Sequence, residues 1–244
     1  MTTYEVPPKP RTIEISRASE WLTEGWQIFT AAPGVWVAIS VVFLVINVFF
    51  SMIPGLGSLV SMLLTPVLFA GLLECSRIVA AGGTLQFDQM FAGFRRNTGN
   101  LVMIGLITLG AMTVVAAIAF VIVFVGGGAG TLSAMQTGTT SGASIGLAIG
   151  SLFFGALVGL LLIVPIIMAW WFAPALVMFD GMPPFEAMKS SYMACQHNWI
   201  SLGIQGVLFF VLIIIAAITL GLGFLVLVPV ATASVFISYR DIYH

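Results

Sequence analysis

Chemistry on this chain would have to come from few side chains. Cys195 and His197 stand two apart and are the residue types of a thiolate with its base, or of a metal pair. On a helix, positions i and i+2 point to different faces. The other histidine is His244, and no zinc spacing, no H-E-x-x-H and no phosphate loop occurs. Serines are plentiful, yet none sits in a nucleophile elbow. The sequence therefore predicts no catalytic residue, no metal site, no cofactor and no enzyme activity. Glu74 and Arg77, three apart on one helix face, read either as an ion-coupling pair or as an interfacial ion pair with a snorkelling arginine. The second reading is adopted, because both lie within a turn or two of polar sequence. Asp180 and Asp241 read as residues that mark the end of an apolar segment or cap the next one.

Polar residues inside the apolar segments are few, and none is ionisable; Asn47, Thr65 and Gln205 are the candidates of interest. Acids and bases inside a membrane mark ion pathways, so their absence argues against ion-coupled transport. Asn47 and Gln205 suit hydrogen bonds between helices. The alternative is a polar substrate pocket, in a permease or channel for a neutral or lipidic solute. Arg95, Arg96 and Lys189 lie on polar faces, where each could attract an anionic lipid headgroup with about 1 kcal/mol. Trp21 and Trp26 suit the headgroup zone. Ser151, Gly155 and Gly159 recur every four residues, a spacing that Gly146 and Gly150 repeat. Such small-residue faces let helices approach closely, either within the chain or in a homo-oligomer.

The elements that carry these residues follow from composition. The chain is 60% hydrophobic and 7% charged, with a mean hydropathy of +1.13; a soluble domain averages about 25% charged residues. This is the composition of an integral membrane protein. The net charge of −1 says nothing about nucleic acid, but no basic patch is large enough to suggest such a partner, and none is expected. Two cysteines make no disulfide framework and read as reduced thiols. The first apolar run starts near Val35, so no cleaved signal peptide is expected.

Three stretches lack any charge: 49 residues between Glu24 and Glu74, 83 between Arg96 and Asp180, and 50 between Lys189 and Arg240. A helix crosses the hydrocarbon core in about 20 residues, so each stretch accommodates two spans and a turn. The six spans are roughly 35–53, 58–80, 101–125, 145–179, 199–219 and 223–239, with a flexible Gly/Ser/Thr-rich loop at 126–144. Residues 145–179 are too long for one straight crossing, and Pro165 and Pro174 are the expected kink points. All eight Lys and Arg then fall on one side, which the positive-inside rule makes cytoplasmic, with both termini in.

The stretch FDQMFAGFRRNTGN at 87–100 returns 98 residues later as FEAMKSSYMACQHN at 185–198. Read as helices, both are amphipathic and lead into a long apolar span, as elements lying flat on a membrane do. Ser16 to Thr30 is a weaker copy. Pro66-Val67 precedes Arg77 by the same distance as Pro229-Val230 precedes Arg240. The expected fold is all-α and polytopic. A flexible cytoplasmic tail (1–17) precedes a single membrane domain (18–244) of three parallel hairpin repeats, about 18–80, 85–179 and 184–240. Each repeat is led by an interfacial amphipathic helix.

The runs FAGFRRNTGNLVMIGLI and WFAPALVMFDGMPPFEAMKSSYMACQHNW, with the ending SYRDIY, resemble a family of small proteobacterial inner-membrane proteins. That family looks related to the wider group of six-span domains joined to some glycerophosphodiester phosphodiesterases. The resemblance runs from about Trp21 to Tyr243 and implies a bacterial inner-membrane location. It brings no catalytic residues, and the phosphodiesterase barrel is absent. The expected role is a scaffold or accessory subunit engaging membrane lipids or other inner-membrane proteins.

Overall fold

The computed structural model describes residues 9–138 and 142–244. Among them it is all-helical: α1 (Arg17–Ala31), α2 (Pro33–Ser51), α3 (Leu56–Ala80), a 3-10 turn (Phe87–Phe91), α4 (Ala92–Arg95), α5 (Thr98–Thr137), α6 (Gly142–Trp171), α7 (Ala173–Phe179), α8 (Pro184–His197), α9 (Trp199–Ile218) and α10 (Phe224–Tyr243). Six helical segments are long and apolar enough to cross a membrane: α2, α3, α5, α6 continued through α7, α9 and α10.

The boundaries have local causes. Pro33 occupies the first turn of α2, where its missing N–H is no loss. Gly55, at φ +75°, makes the turn into α3. Pro66 and Pro229 lie inside α3 and α10. The fourth span breaks at Phe172, two residues before Pro174, while Pro165 sits inside α6; Pro174 has no N–H to bond the carbonyl four residues back, and in the first turn of α7 that N–H is no loss.

Two expectations fail. Residues 126–137 and 142–144 are helical, not a loop, and 139–141 of that stretch lie outside the described residues. Residues 87–100 are not one helix. Arg96 is extended and Asn97 sits at φ +54°, a left-handed geometry asparagine tolerates. Asn97 Nδ2 donates to the Val177 carbonyl at 2.8 Å, and Thr98 Oγ1 to the Gly93 carbonyl at 3.0 Å, which stabilises the break.

The chain forms two compact units. In the first, which runs through Leu106 and resumes at Met168–His244, α10 is the centre: 13 of its 20 residues are buried, against 11 of 25 in α3 and three each in α2 and α9. α1 runs antiparallel along α10. Trp21 reaches Asp241, and a Cβ on Gly25 would stand 2.8 Å from the Val230 carbonyl oxygen and 3.0 Å from Ser234 N. Trp36 of α2 donates to the Ile28 carbonyl at 3.2 Å and folds α2 back on α1. The 3-10 turn and α4 press on α3. A Cβ on Gly93 would lie 2.0 Å from the Val67 carbonyl oxygen, and one on Gly71 would meet the Met90 carbonyl oxygen. α8 is tied to the end of α6 by Ser191, which accepts from Phe172 N at 2.9 Å and donates to the Met168 carbonyl at 2.7 Å.

The second unit, Ile107–Ile167, is the α5–α6 pair. Its close contact sets Gly126 against the Ser151 side chain and Gly155 against Val123 and Ala119.

Candidate functional site

Two charged clusters stand at helix ends in the first unit. In the first, Glu74 on α3 is buried, with 7% of its side chain exposed. It accepts from Arg77 Nε at 2.8 Å and from Arg77 Nη2 at 2.7 Å. A fork-to-fork pair of this kind holds the guanidinium in one plane, and Arg77 lies 5.8 Å from the centre of the Phe179 ring. Arg96 approaches Glu74 at 3.7 Å, and Arg95 pairs with Asp88 at 3.0 Å. One buried carboxylate thus faces two arginines, while the Arg95 and Arg96 side chains remain 64% exposed. Three cations stand here against two carboxylates, so the patch is basic.

The second cluster joins both ends of the described chain. Asp241 on α10 receives Arg17 and the Trp21 indole N–H at 2.9 Å. Arg17 also binds Glu20, and Glu24 at 3.1 Å, while Glu24 meets Arg240 at 3.4 Å. The hydrogen bond to Asp241, reinforced by Glu20 and Glu24, pushes the Arg17 guanidinium above its ordinary pKa. The segment before α1 joins in. Arg11 N donates to the Ile242 carbonyl at 2.8 Å, and Ile13 N to Asn198 Oδ1 at 2.8 Å. Asp180 accepts from Tyr239 Oη at 2.6 Å and lies 3.5 Å from His244 Nε2. Asp180 and Asp241 are therefore acceptors in side-chain networks, and no side-chain cap bond is seen at α8, whose N-cap is Pro183.

The structure brings Glu74, Arg77, Arg95 and Arg96 together and leaves the other candidates apart. Lys189 is exposed and makes no ion pair among the described residues. Trp26 is half exposed and packs on Phe29 at 5.4 Å between centroids. Trp21, expected in the headgroup zone, is wholly buried against α10. Asn47 and Thr65 donate to carbonyls one turn back on their own helices, at 2.8 and 2.6 Å. Gln205 on α9 donates to Ser234 on α10 at 2.8 Å, an interhelical bond. Ser151 and Gly155 face α5, whereas Gly146, Gly150 and Gly159 are open. Cys195 donates to the Met168 carbonyl at 3.4 Å, and His197 Nδ1 lies 2.7 Å from its own helix's Met193 carbonyl, so the two do not meet. Burial pushes the Cys195 thiol up to about 12, only partly offset by its contact with Ser191. Among the described residues, no group of His, Cys, Asp and Glu could hold a metal.

Sequence reasoning missed the Arg17–Trp21–Asp241 contact. The signal was present: Ala18, Trp21, Gly25 and Ile28 fall at helical spacing, and this is the ridge that is buried.

Six apolar helices and charge gathered at their ends define a polytopic membrane protein. The chain is similar to a protein of Burkholderia thailandensis described as a probable inner membrane protein, with 28% identity over 243 residues, 91% of this chain and 88% of the relative. No family model and no solved structure matches it.

Proposed function

We propose that the protein is a non-enzymatic scaffold or accessory subunit of the bacterial inner membrane. In this reading both termini are cytoplasmic, and Arg95, Arg96 and Lys189 engage anionic lipid or an acidic surface of another membrane protein. The observation that carries the proposal is the Glu74 cluster. A buried carboxylate and the Gly93–Val67 contact fix the backbone beneath two arginines whose side chains stay mostly exposed. A pair of cations held this way binds an anion with little ordering cost. The likeness to an inner-membrane relative supports the location.

The same proposal reads the fold as three hairpins, about 18–80, 85–179 and 184–240, each led by a short amphipathic element. Three contacts support it. Gly25 meets the residue after Pro229, and Gly93 meets the residue after Pro66. Ser191, 98 positions beyond Gly93, bonds Met168 on the proline-bearing α6. Each leader thus rests on the second span of the hairpin before it, and the first leader closes onto the third hairpin.

The test is the lipid and protein complement that purifies with the chain from bacterial membranes. Arg95→Ala/Arg96→Ala should lose several-fold of the bound phosphatidylglycerol and cardiolipin, or a cross-linked partner, at unchanged expression. An identical complement in wild type and variant would overturn the proposal.

A further inference from the structure

The first unit carries an open pocket of about 260 Å³ that the charged clusters do not touch. Its walls are Phe43 of α2, Phe69 of α3, Trp170 and Trp171 of α6, and Phe209 of α9, with Ala231 of α10 behind them. Phe69 and Trp170 lie 5.2 Å apart between centroids; Trp171 and Phe209 stack at 6.4 Å with 28° between their planes. No charged side chain lines the space. Phe43, Phe69 and Phe209 are only part-buried, so the space is not sealed.

One buried polar atom here has no partner. The Trp171 indole N–H is buried and finds no acceptor among the described residues. A buried tryptophan normally finds one, and an unmade bond costs about 1–3 kcal/mol. The one hydroxyl in the lining, on Thr232, already donates to the Val228 carbonyl at 2.8 Å. The walls therefore offer flat π faces and one buried, unpaired donor.

We propose that this cavity binds a lipid-soluble, planar, conjugated molecule carrying a carbonyl oxygen, a quinone-type ring. The ring would lie among the five aromatic side chains and accept the Trp171 hydrogen bond. A quaternary ammonium would suit the aromatic faces, yet it has no oxygen to accept the Trp171 N–H. Acyl chains would fill the space yet leave the indole N–H unpaired. The volume lies just below the roughly 300–1,000 Å³ of pockets for drug-sized ligands, which suits one ring system. The inference is independent of the basic patch, and either can fail alone.

The test is calorimetric titration of the purified full chain in detergent micelles with a decyl-tailed benzoquinone, corrected with empty micelles. Saturable binding of one molecule per chain is expected. Decylbenzene, the same shape without carbonyls, should bind at least tenfold more weakly, a comparison that needs no variant. Trp171→Phe, which keeps a ring but removes the donor, should weaken the quinone about tenfold, equivalent to 1.4 kcal/mol. It should leave decylbenzene unchanged. Ala231→Leu should abolish both by filling the space. Equal affinity for the two probes, or displacement of the quinone by a ring-free diacylglycerol at the same concentration as by quinone itself, would overturn the proposal.

Discussion

Asp241 accepts three N–H groups from α1, two from Arg17 and one from Trp21. Charge-assisted bonds of this kind contribute about 1.5–3 kcal/mol. Asp241→Asn keeps the shape and an acceptor for Trp21 but removes the charge. It should lower stability by about that amount in denaturant titration in detergent, and Glu20→Gln, on the exposed rim, by under about 1 kcal/mol. Equal losses would show that burial of Asp241 adds nothing. Cys195 makes a second prediction. Its thiol ionises near 9 in the unfolded chain and at about 12 in the fold. A raised folded pKa favours the folded state fully below pH 9, and this contribution fades as pH climbs toward 12. The melting temperature should therefore fall less steeply between pH 9 and 11 in Cys195→Ala than in wild type. The neutral thiol should also leave Cys195 unlabelled by maleimide at pH 7.5 in folded protein.

Close approach of backbones decides how the elements pack. In lipid there is no hydrophobic force between helices, so small residues that allow contact take over. A methyl on Gly93 would stand 2.0 Å from the Val67 carbonyl oxygen, whereas Gly203 on α9 has open space. Gly93→Ala should destabilise by at least the roughly 1–3 kcal/mol of overpacking. Gly203→Ala should be neutral or gain up to about 1 kcal/mol. A Gly93→Ala protein as stable as wild type would mean that α4 is free to lift from α3. The same scale explains what was legible in the sequence. Uncharged length and the turn at Pro54–Gly57 located the spans, because the bilayer sets length and excludes charge. Gly126 to Ser144 misled, because glycine disfavours a helix by about 1 kcal/mol against alanine in water. Here Gly126 packs against the Ser151 side chain of α6, and close helix pairing of this kind outweighs propensity. The break at Asn97 was equally hidden: it depends on the Val177 carbonyl, 80 residues away, which no local pattern reveals. The Glu74–Arg77 pair was legible from spacing alone, but Arg96 at the same carboxylate needed the fold.

At the scale of the molecule, the described ion pairs join distant parts of the chain: Arg17 with Asp241, Glu24 with Arg240, Glu74 with Arg96, and Asp180 with His244 if protonated. Arg77 over Phe179, and Phe179 5.7 Å from Tyr239, set the C-terminal ends of α3, α7 and α10 side by side. The proposed hairpins, in which each pair of crossings returns the chain to one side, agree with the ends of the second, fourth and sixth spans lying together. The turns after α2 and α9 are opposite in that scheme, and both expose large apolar residues: Met52 is 75% and Leu220 95% exposed. In the proposed orientation, which follows the positive-inside rule, the charged side is the cytoplasm. A membrane-impermeant maleimide applied to intact spheroplasts should therefore label Met52→Cys and Leu220→Cys. It should reach Asp88→Cys and Lys189→Cys only after lysis. The native Cys75 and Cys195 are buried and give little background. Labelling of Lys189→Cys from outside, with Leu220→Cys protected, would invert the topology. The basic patch would then face the periplasm, and a cytoplasmic partner could not reach it.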